Sequence, residues 1–249
     1  MSIQSPEDLA GLQAIGHIVA ITLQAMAQAV RPGITTAELD LIAARELARW
    51  GAESSPALVY GFPGFSCISL NSQVVHGVPS KCTTVQPGDL VKLDLTAQKD
   101  GYVADAAVTV AVPPASLTAR RLAQCAQTAF ERAQSVARAS SRISAIGRAV
   151  EKEVRDAGFE VLRQWCGHGV GRTIHERPEV PNFEDRRNSA VLTEGLVITI
   201  EPIITAGIDK SFVTSDGWTV VTADQALSAH YEHTVVITRG DPMVLTALQ

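Results

Sequence analysis

Apolar positions recur at helical spacing near the start of the chain, where Leu12, Ile15, Val19, Met26 and Val30 fall on one face. Ser5-Pro6-Glu7-Asp8 in front of them supplies a capping serine, a proline at the first helical position and acids in the first turn, and Arg31-Pro32-Gly33 stops the element. A second helix is predicted to open at the capping box Thr35-Thr36-Ala37-Glu38 and to end near Gly51. From there to Val112 the pattern changes to β-branched residues and turn signals, with strand texture at residues 74–75, 90–96 and 108–112. Ser116 opens a third helix and Ser144 a fourth, which Gly158 ends; residues 196–200, 218–222 and 232–238 then return to strand texture. The order helix, helix, strands occurs twice, which predicts two similarly built halves sharing one mixed sheet. No Gly/Ser-rich or Pro-rich linker separates the halves, so residues 1–249 read as a single domain.

Composition narrows the class. At 46% hydrophobic and 19% charged, the chain can bury a full core, and its formal net charge of -5 with no dense Lys/Arg cluster argues against nucleic acid as a partner. The polar start through Ser2, Gln4, Ser5, Glu7 and Asp8 does not read as a secretory signal, and no apolar stretch is judged to approach the roughly 20 residues of a membrane helix. Cys67, Cys82, Cys125 and Cys166 form no Cys-x-x-Cys pair and are too sparse for a disulfide framework, so a reducing, cytoplasmic setting is expected.

Four segments carry the chemistry. The run Val91-Lys92-Leu93-Asp94-Leu95-Thr96 followed by Asp100-Gly101 and Tyr102-Val103-Ala104-Asp105 has the form of a hairpin turning at Asp-Gly. With a two-residue loop, Lys99 pairs with Tyr102 and Asp94 faces Ala107, so Asp94 and Asp105 share a face; a three-residue loop puts them on opposite faces unless a bulge intervenes. Two anions side by side repel and a metal ion resolves the conflict, the alternative being that one aspartate is a solvated edge residue. The second segment, Cys166-Gly167-His168-Gly169, lets the backbone approach closely on both sides of the imidazole, although a lone histidine in such a turn is more often structural than a ligand. Glu201 ends the apolar strand at 196–200, and in Tyr231-Glu232-His233 the glutamate and histidine face opposite ways on a strand; each glutamate alone has a surface position as its usual fate. Together these residues make an oxygen-rich set with a single imidazole, suited to two divalent cations and not to thiolate zinc.

At this point the chain resembles the type I, bacterial-kind methionine aminopeptidases. The likeness runs through Val74-Val75-His76-Gly77-Val78-Pro79, the Asp94 to Asp105 hairpin, Cys166 to His175, Thr199-Ile200-Glu201-Pro202, Asp216-Gly217-Trp218-Thr219-Val220 and Tyr231-Glu232-His233-Thr234. It implies an α/β (α+β) pita-bread fold, two pseudo-symmetric halves with a central mixed or antiparallel sheet covered by helices. It also implies removal of the initiator methionine from nascent polypeptides, with a small second residue preferred. The cofactors would be two divalent ions drawn from Co, Mn, Fe(II) and Zn. In this resemblance Asp94 chelates one metal, Asp105 and Glu232 bridge both, and His168 with Glu201 complete the other. His76 and His175 match histidines that contact substrate, and Glu201 is the proton acceptor, so His76, His175 and Glu201 are the catalytic candidates. Phe62, Cys67, Ile174, Trp218 and Tyr60 match the methionine pocket, with Val59 nearby. A monomer acting at the ribosome, without membrane or nucleic-acid contact, completes the expectation.

Three residues depart from the family pattern: Ile174 where Phe is expected, Val59 where Tyr is expected, and Lys92 where many relatives carry Asn. Strand alternation puts Lys92 on the Asp94 face, which predicts a cation close to the metals. His17, His230 and His233 are left unassigned, with a structural role favoured. The rival readings are creatinase, prolidase and aminopeptidase P, which share the ligand set but carry a large extra N-terminal domain, and a metal-free binding module, which would have lost ligands.

Overall fold

The computed structural model describes residues 1–248. In chain order its elements begin with helices α1 (Pro6–Ala29) and α2 (Thr36–Trp50), strand β1 (Glu53–Ser54), helix α3 (Ser55–Tyr60) and strands β2 (Cys67–Leu70), β3 (Leu90–Lys99) and β4 (Tyr102–Ala111). Helices α4 (Leu117–Val136) and α5 (Ile143–Asp156) follow, then strands β5 (Glu160–Val161), β6 (Cys166–Gly169), β7 (Glu176–Pro181) and β8 (Val197–Ile200). The chain ends through β9 (Ile203–Thr205), β10 (Ser211–Val213), β11 (Val220–Thr222), β12 (Ser228–His230), β13 (Glu232–Val236) and β14 (Met243–Val244). The main sheet runs β1-β3-β4-β13-β8-β6-β7, and every ladder among the described residues is antiparallel, so of the two sheet types expected the antiparallel one is found.

Local signals account for the helix ends. Ser5 accepts a hydrogen bond from the Asp8 N–H at 3.2 Å and Pro6 opens α1, while Thr35 and Glu38 complete the capping box of α2, which Gly51 closes in the left-handed region. Ser116 caps α4 as its sequence predicts. The fourth helix starts at Ile143 instead of Ser144, because the Ile143 N–H is tied to Ala190 O at 3.0 Å and Arg142 bridges to Val191. Residues 74–75 lie outside a regular strand; they are tied to the second half of the chain by Val74 N–H to Val220 O and Val220 N–H to Val75 O. The short helix α3 has too few turns to leave a period in the sequence.

Helices cover one face of the sheet in two sets. Ile15, Val19 and Leu23 of α1 bury against Val91, Leu93 and Leu95 of β3, while Leu122 and Phe130 of α4 with Ile146 and Val150 of α5 bury against Ile198, Ile200 and Val235. These are the two halves predicted from the repeated element order. Helix α1 corrects one expectation: by length and composition it is apolar enough to cross a membrane, yet half of its apolar window is buried inside the protein as a core helix of the first half.

Candidate metal centre and pocket

Alternation along the strands separates the covered face from the chemical one. In β3 the odd positions Val91, Leu93 and Leu95 turn toward α1, leaving Lys92, Asp94 and Thr96 on the opposite face. The hairpin turns at Asp100-Gly101, both with positive φ (51° and 78°), which is the two-residue primed turn that matches strand twist. Lys99 therefore pairs with Tyr102, Asp94 with Ala107 and Asp105 with Thr96, and the two aspartates share a face. Glu232 of β13 lies across from Ala107, and one rung past the Ile200–His233 pair Glu201 stands beside Glu232. Small residues between the acids leave their carboxylates room to converge.

His168 reaches the same face from β6. A Cβ on Gly167 would meet Thr199 O at 2.6 Å and one on Gly169 would meet Arg177 O at 2.3 Å, so only glycine lets β6 sit this close to both neighbours. The His168 N–H donates to the Thr199 hydroxyl at 3.0 Å, and that hydroxyl donates to Glu201 Oε1 at 2.8 Å. Nδ1 of His168 lies 2.9 Å from Gly169 O, which fixes the ring and leaves Nε2 facing Glu201 Oε1 at 3.5 Å and Asp105 Oδ2 at 3.9 Å.

Four carboxylates crowded this way, three of them buried and Asp94 half-buried beneath the cavity, resist ionisation. Burial first, and then mutual repulsion, pushes Asp94, Glu201 and Glu232 well above the usual range, and burial takes Asp105 up to about 6. Asp105 Oδ1, Glu232 Oε1 and both ring nitrogens of His230 are buried without a hydrogen-bond partner. Orphaned polar atoms at this density call for a cation. Ligand atoms of Asp105, His168 and Glu232, and separately of Glu201, His230 and Glu232, lie within 4.8 Å of one another, so the donors fit divalent metal ions.

Over this floor opens a cavity of about 260 Å³ that Asp94, Asp105, His168, Glu201 and Glu232 all line. Tyr60, Phe62, Cys67, Ile174 and Trp218 wall it, with the Phe62 and Trp218 rings edge to face at 5.2 Å. His76 and His175 also line it. His76 holds a left-handed backbone (φ 57°) and meets Trp165 edge-on at 5.5 Å, while burial lowers its pKa to about 4. Nδ1 of His175 lies 2.7 Å from the Tyr60 hydroxyl, and its ring centroid is 4.4 Å from that of His168.

The structure corrects several expectations. Val59 is 54% exposed and does not line the cavity, since its place in α3 turns it outward. Lys92 does share the Asp94 face, but its ammonium is buried and donates to Asn71 O at 2.8 Å and Ser228 O at 3.0 Å, outside the cavity lining, and burial lowers its pKa to about 7. His233 faces away from Glu232 and is held by Thr246 and Tyr231 beside Phe130, and His17 is exposed near Trp50, so both keep structural surroundings. His230 instead lines the cavity, and a second imidazole therefore joins the oxygen-rich set. Its signal was the spacing His230-Tyr231-Glu232, two residues apart in strand texture. Trp165, Thr199 and Asn182, whose side-chain amide donates to Glu201 O at 2.8 Å, also went unread, having no motif of their own.

Known proteins agree with this geometry. A model of metallopeptidase family M24 matches residues 10–239. Methionine aminopeptidase 2 of Bacillus subtilis (strain 168) is 39% identical over 249 residues, covering 100% of both chains. The crystal structure of methionine aminopeptidase from Thermotoga maritima superposes with a TM-score of 0.96 at 30% identity, again covering 100% of both chains. Prolidase from Pyrococcus furiosus shares the fold with a TM-score of 0.79 at 23% identity, and this chain spans 66% of its length. With its pita-bread halves, its ligand cluster and these full-length matches, the chain belongs to metallopeptidase family M24, among the methionine aminopeptidases of the bacterial kind.

Proposed function

We propose that the chain is a metal-dependent aminopeptidase that removes the N-terminal methionine of newly made polypeptides, preferring a small second residue. What supports this reading above all is one observation: five candidate ligands, with unpartnered buried oxygens among them, floor a cavity whose walls are apolar. Residues 1–249 act as a single catalytic domain, as a monomer in the cytoplasm, with the emerging polypeptide at the ribosome as partner.

Asp94, Asp105, His168, Glu201 and Glu232 would hold two divalent ions, with Co, Mn, Fe(II) and Zn as the candidate metals. When bound, two such ions neutralise the carboxylates and lower the pKa of water toward about 7, as in other two-metal hydrolases. Glu201 accepts the proton of the attacking water and returns it to the leaving amine; Thr199, bonded to its Oε1, holds the carboxylate in place for both transfers. His175 stabilises the carbonyl oxygen as charge develops on it, and His76 steers the departing amine. Phe62, Cys67, Ile174 and Trp218, with Tyr60 at the rim, surround the methionine side chain.

The test is turnover of Met-Ala-Ser against Xaa-Pro peptides by metal-loaded protein. Cleavage of the first alone is expected. Preference for Xaa-Pro would move the chain to the prolidase-like branch, and no cleavage of either would make it a binding module.

A further inference from the structure

We propose that His230 is a sixth protein ligand of the metal centre, bound to the ion that Glu201 and Glu232 share with His168. The inference rests on the metal-centre reading above and adds to it a second imidazole. His230 ends β12 and is 2% exposed, held through its backbone by the Thr109 hydroxyl, which receives its N–H at 3.0 Å and donates to its carbonyl at 2.7 Å. The backbone is thus fixed while the ring is left without any hydrogen-bond partner on either nitrogen. A buried imidazole with two orphaned nitrogens is costly unless something else satisfies one of them.

The distances say what that is. Nε2 of His230 lies 3.2 Å from Glu232 Oε2 and 3.9 Å from Glu201 Oε2. The shorter contact is within hydrogen-bond range yet out of alignment, which is the relation of two donors aimed at a common third point. Ligands about 2.0–2.2 Å from one ion stand roughly 3 to 3.5 Å apart, which the His230–Glu232 contact matches and the Glu201 contact exceeds by a few tenths of an ångström. Glu201 offers Oε1 toward His168 and Oε2 toward His230, so its carboxylate lies between two imidazoles. Being neutral, the added ring leaves the charge balance of four carboxylates against two dications intact. It does make the site softer, and imidazole donors favour Zn, Fe(II) and Co over Mn.

The experiment counts imidazoles on zinc-loaded full-length protein by X-ray absorption, alongside competition affinities for Zn(II) and Mn(II). Two imidazoles per dinuclear centre are expected in the wild type and one in both His230→Gln and His168→Gln. His230→Gln should also weaken the more loosely held zinc by at least about tenfold and narrow the preference for zinc over manganese. A single imidazole in the wild type, or unchanged zinc affinity in His230→Gln, overturns the proposal while leaving the five-ligand centre standing. The wild-type count decides the matter even if a variant does not fold. A wild type that binds no zinc overturns the metal-centre reading itself.

Discussion

The Tyr60 hydroxyl lies 2.7 Å from Nδ1 of His175, placed to hold one tautomer of the ring. Burial lowers the pKa of His175, so the ring is neutral near pH 7; in the tautomer where Tyr60 donates to Nδ1, Nε2 is the N–H that an oxyanion needs. Tyr60, read from the sequence as pocket wall, is on this geometry also a positioning residue. Tyr60→Phe should leave two metals bound and lower kcat about tenfold, because the other tautomer becomes accessible; an unchanged kcat would return Tyr60 to the wall alone. His175→Ala removes the donor itself and should cost about 10² to 10³ in kcat with metal content, measured by elemental analysis, still at two. Ile174 is buried in the cavity wall, and it occupies less space than Phe. Comparing Met-Ala with Phe-Ala cleavage before and after Ile174→Phe should show the larger first residue losing ground, and an unaltered ratio would take Ile174 out of the specificity determinants.

Between β10 and β11 the chain turns on one carboxylate, and that turn carries Trp218 to the pocket. Asp216 accepts hydrogen bonds from the backbone N–H groups of Trp218 and Thr219 at 2.8 Å and from the hydroxyls of Thr219 and Thr214 at 2.6 and 2.9 Å. Partial burial raises its pKa, but these bonds outweigh it and hold the group at about 2. A carboxyl whose folded pKa is depressed stabilises the protein above its unfolded value, near 3.8, and that contribution is lost as pH falls through about 2. Asp216→Asn should therefore flatten the acid limb of urea stability between those values and raise KM for Met peptides at pH 7 without loss of metal. Parallel acid limbs in the two proteins would show that the turn does not depend on the carboxylate. How legible such elements are in sequence follows from their physics. The hairpin was readable because period-two alternation and Asp-Gly fix its register locally, and that register alone placed Asp94 and Asp105 together. Glu201 and Glu232 each look like strand-end surface residues until β8 and β13 pair, and it was their company with two Asp and a His, then the family resemblance, that singled them out. His230 was hidden because Tyr231 breaks the run between β12 and β13, and the direction of the Lys92 side chain is set by Asn71 and Ser228, carbonyls far away in the chain.

At the scale of the molecule, the centre lies across the seam of the two halves: Asp94 and Asp105 come from the hairpin beneath α1, and His168, Glu201 and Glu232 from strands of the second half. Metal binding is then linked to folding, since the unfolded chain has no such cluster, and free metal at about 100 times its Kd adds roughly 2.7 kcal/mol per site, or about 5–10 °C in Tm for a chain of this size. The linkage has a definite pH sign. Without metal, the carboxylates of the centre have folded pKa values above their unfolded ones, Asp105 at about 6 and the others raised as well. Raised values mean that the folded state holds extra protons, so their stabilising contribution is complete below the unfolded pKa near 4 and is lost as pH rises through about 6. Bound dications replace those protons and bind better as pH rises. Chelator-treated protein should therefore melt close to the metal-loaded form at pH 5 and well below it at pH 8. Scanning calorimetry at the two pH values, with chelator and with added metal, reads the gap directly. A gap that stays constant or shrinks toward pH 8 would mean that proton and metal do not compete for these carboxylates, and the cluster would lose its assignment as the metal centre.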